Sequence, residues 1–316
     1  MKDLHLLPKV RDSWSYLYVE RCKIDQEAKA IAVHDAKGKT SVPCATLTLL
    51  MLGPGTSITH AAIRALADNG CLVAWTGEEG VRFYAQGMGE TRSAQNLLRQ
   101  SRLCANPATH LEVVLRMYRL RFGGEWHRSW TLQQIRGKEG VRVREAYAKA
   151  SRETGLEWKG RAYERDSWKQ TDPVNRALSC ANSCLYGICH AAIISAGYSP
   201  ALGFVHTGKM LSFVYDIADL YKVDTTTPVA FQAVAEGPED LEGRVRRGCR
   251  DIFHQERILQ RIVPDIDLIL DEERVTAALE APEMDTDLAL PSGLWDPAGE
   301  VQGGVNFADE PLQEET

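Results

Sequence analysis

Residues 47–75 read LTLLMLGPGTSITHAAIRALADNGCLVAW, and this stretch sets the character of the N-terminal part. Residues 47–52 form a short apolar run stopped by Gly53-Pro54-Gly55, the composition of a strand followed by a turn. Thr59 is placed to cap a helix, residues 61–67 fill it, and Asn69-Gly70 ends it. Residues 71–75 are a second apolar run of strand length. Outward from this core, residues 14–19, 30–33 and 81–85 repeat the short apolar pattern, with turn signals at 35–38 and 77–80. Residues 1–85 are therefore expected to form a β-rich domain interrupted by one short helix.

The period then changes. A polar, glycine-containing stretch over residues 86–95 reads as a linker. Leu111, Val114, Leu115, Tyr118 and Phe122 share a helical stripe. Val174, Leu178, Ala181, Leu185 and Ile188 make a second stripe, started by Asp172-Pro173. Residues 213–223 and 241–263 continue the helical set. The expected fold is α+β: a β-rich domain at 1–85, a larger all-α domain at 96–280 and an acidic tail at 281–316. No internal repeat is visible.

The chain has 316 residues, 44% hydrophobic and 25% charged, enough to bury the cores of two domains. No apolar run approaches the ~20 residues of a membrane helix, and the N-terminus lacks the basic-then-apolar layout of a secretion signal. A cytoplasmic protein is expected. The net charge of −6 hides an asymmetry. Residues 275–316 hold ten acids and no Lys or Arg, which leaves 37 basic against 33 acidic residues before them. A mildly basic body is compatible with nucleic-acid binding. Of the eight cysteines, Cys180, Cys184 and Cys189 lie close together beside His190. They form no CxxC pair, and buried, reduced thiols are preferred over a zinc site.

The chemistry concentrates in residues 203–219, GFVHTGKMLSFVYDIAD. Asp216 and Asp219 are three apart, so on a helix they share a face. Phe213, Val214, Ile217 and Leu220 surround them, and paired carboxylates in apolar company need a counter-charge, which a divalent cation supplies. His206 sits ten residues earlier in a glycine-bounded loop able to fold back to that face. A mixed imidazole and carboxylate site suits Mn²⁺ or Mg²⁺. The competing reading is two acids that cap or solvate a surface helix. Gly203, Gly208 and Lys209 match the first seven positions of a phosphate-binding loop, but Met210 stands where Ser or Thr would hold Mg²⁺, and no buried strand precedes. Nucleotide hydrolysis is not expected.

This segment resembles the active-site region of the CRISPR adaptation integrases of the type I-E subclass. Residues 51–64 (MLGPGTSITHAAIR), 80–87 (GVRFYAQG), 134–140 (QIRGKEG), 183–187 (SCLYG) and 248–253 (GCRDIF) extend the resemblance over roughly residues 8–270. It implies a metal-dependent enzyme that joins the 3′-hydroxyl ends of short foreign DNA to the repeat array during spacer acquisition. The alternative is a metal-dependent endonuclease acting on branched or single-stranded DNA. A DNA-binding scaffold without turnover is a third possibility, disfavoured because every site residue type is retained. The resemblance implies a Mg²⁺ or Mn²⁺ site made by Glu139, His206 and Asp219, with Asp216 beside them as a further catalytic residue. Glu139 is promoted by the resemblance alone; by itself it reads as a solvated helix glutamate.

The resemblance also implies a homodimer made through the β-domain, and a small ferredoxin-fold adaptation subunit as partner. Expected partners are thus double-stranded DNA with 3′ ends, CRISPR repeat DNA, a second copy and that subunit. Arg64, Arg82, Tyr163 and Tyr186 are its DNA-facing positions, with Trp168 equally a core residue. Arg246, Arg250, His254, Arg257 and Arg261 recur at helical spacing as a basic stripe suited to phosphates. In the tail, Leu288 and Leu290 alternate as a strand would, so residues 287–295 are expected to dock on the small subunit.

Overall fold

The computed structural model describes residues 17–47, 49–77, 83–87, 94–123, 127, 129–161, 172–270, 294–296 and 299–301. Two four-stranded sheets build the N-terminal part. The first contains β1 (Leu17–Val19), β5 (Leu49–Leu52), β7 (Leu72–Thr76) and β8 (Phe83–Gly87), in that order. The pairs β1–β5 and β5–β7 are parallel, and β8 closes the sheet antiparallel to β7. The second contains β2 (Lys23–Glu27), β3 (Ala30–Asp35), β4 (Gly38–Pro43) and β6 (Ser57–Ile58), in the order β4-β3-β2-β6.

β2 and β4 are strands that the apolar runs did not signal. Both are polar at the surface: in β4 only Val42 is buried, and in β2 only Ile24. They pair on either side of apolar β3, so cross-strand partnership rather than their own composition makes them strands. The expected helix is α1 (His60–Asp68). The Thr59 hydroxyl accepts from the Ala62 N–H at 3.3 Å, and Gly70 at φ 67° turns the chain out.

The first sheet is apolar on both faces. Leu50, Leu52 and Val73 pack with Ile24, Ile31 and Leu66 in one core. Leu49, Met51, Leu72 and Ala74 alternate to the other face and join the helical core. The helix α5 (Pro173–Ser195) belongs to that second core and meets β5 at Gly187, where an added Cβ would lie 2.8 Å from Leu49. By composition α5 is long and apolar enough to cross a membrane, but most of its apolar stretch is buried inside the protein. Asp172 caps it, accepting from the Asn175 N–H at 3.0 Å, with Pro173 in the first turn.

Around α5 stand α2 (Gln95–Ala105), α3 (Pro107–Phe122), α4 (Leu132–Thr154), α6 (Ser212–Ala218), α7 (Thr226–Ala235), α8 (Leu241–Gln255) and α9 (Ile258–Leu270). Two helical expectations are corrected. The buried face of α3 is Val113, Val114, Met117, Tyr118 and Arg121, while Leu111 is exposed. The helix expected over 241–263 breaks after Gln255, because Arg257 takes a left-handed φ of 51°, and α9 starts in a new direction of chain.

Residues 273–316 cluster as a separate unit. Within it, β9 (Leu294–Asp296) and β10 (Gly299–Val301) pair antiparallel, so Trp295 lies opposite Glu300 in a hairpin. The rest of the expected docking strand, 287–293, lies outside the described residues.

Candidate active site

The site begins with one buried carboxylate. Asp216 on α6 is fully buried, yet both oxygens are engaged. Oδ2 accepts the backbone N–H groups of Phe204 (2.6 Å) and Val205 (3.1 Å). Oδ1 accepts the His206 backbone N–H and faces the His206 Nδ1, both at 2.8 Å. Three successive N–H groups thus satisfy a charge that burial would otherwise penalise heavily. An ionised carboxylate only accepts, so Nδ1 donates to Asp216 and Nε2 is the ring nitrogen turned away from it.

That Nε2 faces the second carboxylate, Asp219 Oδ2, at 3.9 Å. Asp219 follows the last turn of α6 and also receives Lys222 Nζ on Oδ1 at 2.6 Å. The third carboxylate is Glu139 on α4, and a buried guanidinium joins it to the others. Arg121 reaches Glu139 Oε1 at 3.6 Å and Asp219 Oδ2 at 3.7 Å, and donates to the Asp216 carbonyl at 3.2 Å. Arg142, one turn from Glu139, lies 3.6 Å from its Oε2. Glu139 is thus turned inward, not toward bulk solvent.

Aromatic rings wall the site. Tyr215 meets His206 edge-on at 5.9 Å and Tyr186 at 5.0 Å. Lys222 lies 4.8 Å from the Tyr186 ring centroid. Burial disfavours the Lys222 ammonium, but the Asp219 and Tyr186 charges and hydrogen bonds outweigh it and hold its pKa above the ordinary value. Burial raises the Tyr186 phenol, with Lys222 pulling the other way.

The structure therefore groups Glu139, His206, Asp216, Asp219 and Tyr186. Arg121, Arg142 and Lys222 were missed. Lys222 sits one turn after Asp219, and Arg121 falls in phase with the buried residues of α3, so both had a spacing signal. The other predicted DNA residues lie elsewhere or are already engaged. Arg64 is exposed on α1, 3.7 Å from Asp68. Arg246 stacks over the Tyr18 ring at 4.3 Å, tying α8 to β1. Arg250 lies 3.4 Å from Asp251, His254 is exposed in the last turn of α8, and Arg257 is exposed at the break after it. Arg261 covers Tyr221 from α9, so the stripe is divided between two helices. Arg82, Tyr163 and Trp168 lie outside the described residues. Cys180, Cys184, Cys189 and Cys249 are buried, reduced thiols.

An N-terminal pair of sheets, a helical part and a cationic–carboxylate–imidazole centre carried by the helices define an α+β class of protein. The comparisons name it. The family model described as CRISPR associated protein Cas1 matches residues 16–123 and 122–250. The CRISPR-associated endonuclease Cas1 2 of Thermus thermophilus is 55% identical over 315 residues, 98% of this chain and 95% of that one. The CRISPR-associated endonuclease Cas1 of Escherichia coli K12 is 42% identical over 262 residues, 83% and 86% of the two chains. A solved structure, the crystal structure of a TtCas1–DNA complex, superposes with a TM-score of 0.79 at 54% identity, covering 92% of this chain and 100% of that one. The chain belongs to the Cas1 family.

Proposed function

We propose that this chain is a metal-dependent DNA strand transferase, which joins the 3′-hydroxyl ends of short foreign DNA to CRISPR repeat DNA. The observation that supports it best is that Arg121 joins Glu139 on α4 to Asp219 after α6, and that His206 Nε2 faces the same Asp219 carboxylate at 3.9 Å. Its relatives are named endonucleases, and a related chain was solved with DNA, which favours DNA as the substrate class.

The residues present fit a Mg²⁺ or Mn²⁺ ion in kind. One imidazole nitrogen with its partner nitrogen already tied, plus two carboxylates, is a donor set for such ions. Glu139 Oε2 is moreover buried, with no hydrogen-bond partner among the described residues. The carboxylates here are turned to Arg121 and Lys222, and among the described residues no three such side chains meet at coordination distance. Glu139, His206 and Asp219 would hold the ion, exchanging part of that cationic company for it. When bound, it would neutralise charge on the attacked phosphate and ease ionisation of the attacking hydroxyl.

The protein's own contributions follow from the geometry. Asp216 fixes the His206 ring and keeps its Nδ1 protonated. Arg121 bridges the Glu139 and Asp219 carboxylates, and Lys222 holds Asp219 from its other side. One phosphodiester forms as another breaks, so no nucleotide hydrolysis is needed. A homodimer and a small ferredoxin-fold subunit, docked in part by residues 287–295, complete the proposed assembly. Hydrolysis is the second reading, favoured by the relatives' names, with water replacing the 3′-hydroxyl.

A pair of labelled duplexes separates the readings, one ending in a 3′-hydroxyl and one in a 3′-deoxy sugar, each given with a repeat-bearing plasmid and the small subunit. Joined product from the first duplex only supports strand transfer. Equal plasmid cleavage with both, and no joined product, supports the nuclease.

A further inference from the structure

The loop that carries His206 is held from two sides, and Asp216 is only one of them. Its carbonyls are bound by side chains of α2 and α3. Gln100 on α2 is fully buried. Its Nε2 donates to the carbonyls of Ser199 (3.0 Å) and Leu202 (2.9 Å), and its Oε1 accepts the Ser199 N–H at 2.7 Å. One turn before it, Asn96 donates to the Ala196 carbonyl at 2.7 Å. One turn after it, the Cys104 thiol lies 3.6 Å from the Gly203 carbonyl. His110 on α3 completes the row, with Nε2 2.9 Å from the Phe204 carbonyl and Nδ1 3.1 Å from the Cys104 carbonyl.

This arrangement answers where an irregular buried loop places its backbone groups. Residues 96, 100 and 104 are four apart, one face of a helix, and meet the carbonyls of Ala196, Ser199, Leu202 and Gly203 in chain order. Phe204 is bound at both ends: its N–H donates to Asp216 and its carbonyl meets His110. A shift at the His110 side therefore moves the peptide that Asp216 grips, and with it the imidazole two residues on.

We propose that Gln100 and His110 are positioning residues for the reaction, holding the Ser199, Leu202 and Phe204 carbonyls so that Asp216 binds the amides beyond and aims the His206 Nε2. The inference rests on His206 being the imidazole of the active site. Neither residue touches substrate; both act through backbone. Their chemistry is specific: Gln100 uses both N–H groups and its carbonyl, a pattern neither Glu nor Met reproduces.

The test uses the full chain with its small subunit, and the variants Gln100→Met, His110→Phe and His110→Gln. Strand-joining or cleavage rate at saturating DNA, DNA affinity and thermal unfolding are measured for each. The ring ¹⁵N and Nδ1–H signals of His206, assigned with His206→Gln, are recorded in parallel. The expected result is a rate lowered about tenfold or more in Gln100→Met and His110→Phe, with DNA affinity kept and the His206 signals moved. His110→Gln, which still donates to a carbonyl, recovers most of the rate and the native signals. Should Gln100→Met fail to fold, the two His110 variants decide alone. Unmoved His206 signals in His110→Phe, or no recovery in His110→Gln, would overturn the proposal. If the parent chain neither joins nor cuts DNA, the functional reading fails, and the His206 signals still decide the positioning claim.

Discussion

One oxygen of Asp216 binds His206 twice, through the backbone N–H and through Nδ1 of the ring, each at 2.8 Å. A single buried atom thus fixes both where the residue sits and which tautomer it holds. Asp216→Asn keeps the size, but an amide has one acceptor oxygen and a donor group in place of the other, so either the His206 pair or the Phe204 and Val205 N–H groups lose their acceptor. Joining is expected to fall about 10–100-fold, the usual cost of losing a partner that orients a ligand histidine. Single-turnover kinetics at saturating DNA measures it, and unchanged kinetics would remove Asp216 from the site's chemistry.

Gly203 has no room for a side chain. An added Cβ would lie 2.3 Å from the His206 carbonyl and 2.7 Å from Ser212 Cβ. Gly203→Ala is expected to cost about 1–3 kcal/mol by overpacking, and to cost more activity than stability. Urea unfolding and joining assays on one preparation test the two together.

Arg121 is the buried cation of the centre, with a side chain 2% exposed between Glu139 and Asp219. Arg121→Met leaves two carboxylates without it, and breaking a buried pair costs about 3–5 kcal/mol. Added Mn²⁺ is expected to raise the melting temperature of the variant more than that of the parent chain. An equal rise in both would argue against Glu139 and Asp219 as ligands.

His190 on α5 is 2% exposed, and burial lowers its pKa to about 4. Its unfolded-state pKa is near 6.5, so the unfolded chain binds the proton first and stability falls as the pH drops. The loss begins near pH 6.5, levels off near pH 4 and amounts to about 3 kcal/mol. His190→Phe should flatten that part of the stability–pH curve; the same slope in the variant would assign it to other groups.

How much was legible follows from where each signal lives. The apolar runs of β5 and β7, the Thr59 cap and the Asp216–Asp219 pair are local patterns, and the sequence displays them directly. β2 and β4 owe their strand form to β3, a partner that composition does not name. Glu139 sits in a charged, largely exposed helix, and only the resemblance singled it out; its inward turn depends on Arg121, from another helix. The 241–263 helix was overextended because Arg257 carries no mark of the left-handed turn it makes. The Arg246 stack on Tyr18 likewise joins residues far apart in the chain.

If Asp219 and its neighbours carry out strand joining rather than only hold DNA, loss of the Asp219 carboxylate separates the two activities. The direct measurement is single-turnover joining of a labelled 3′-hydroxyl duplex by the parent chain and by Asp219→Asn, with DNA affinity measured on the same samples. Joining is expected to fall at least about 100-fold, a loss of several kcal/mol of transition-state stabilisation, with affinity unchanged within a few-fold. Joining retained by Asp219→Asn, or lost only in step with DNA affinity, would contradict it.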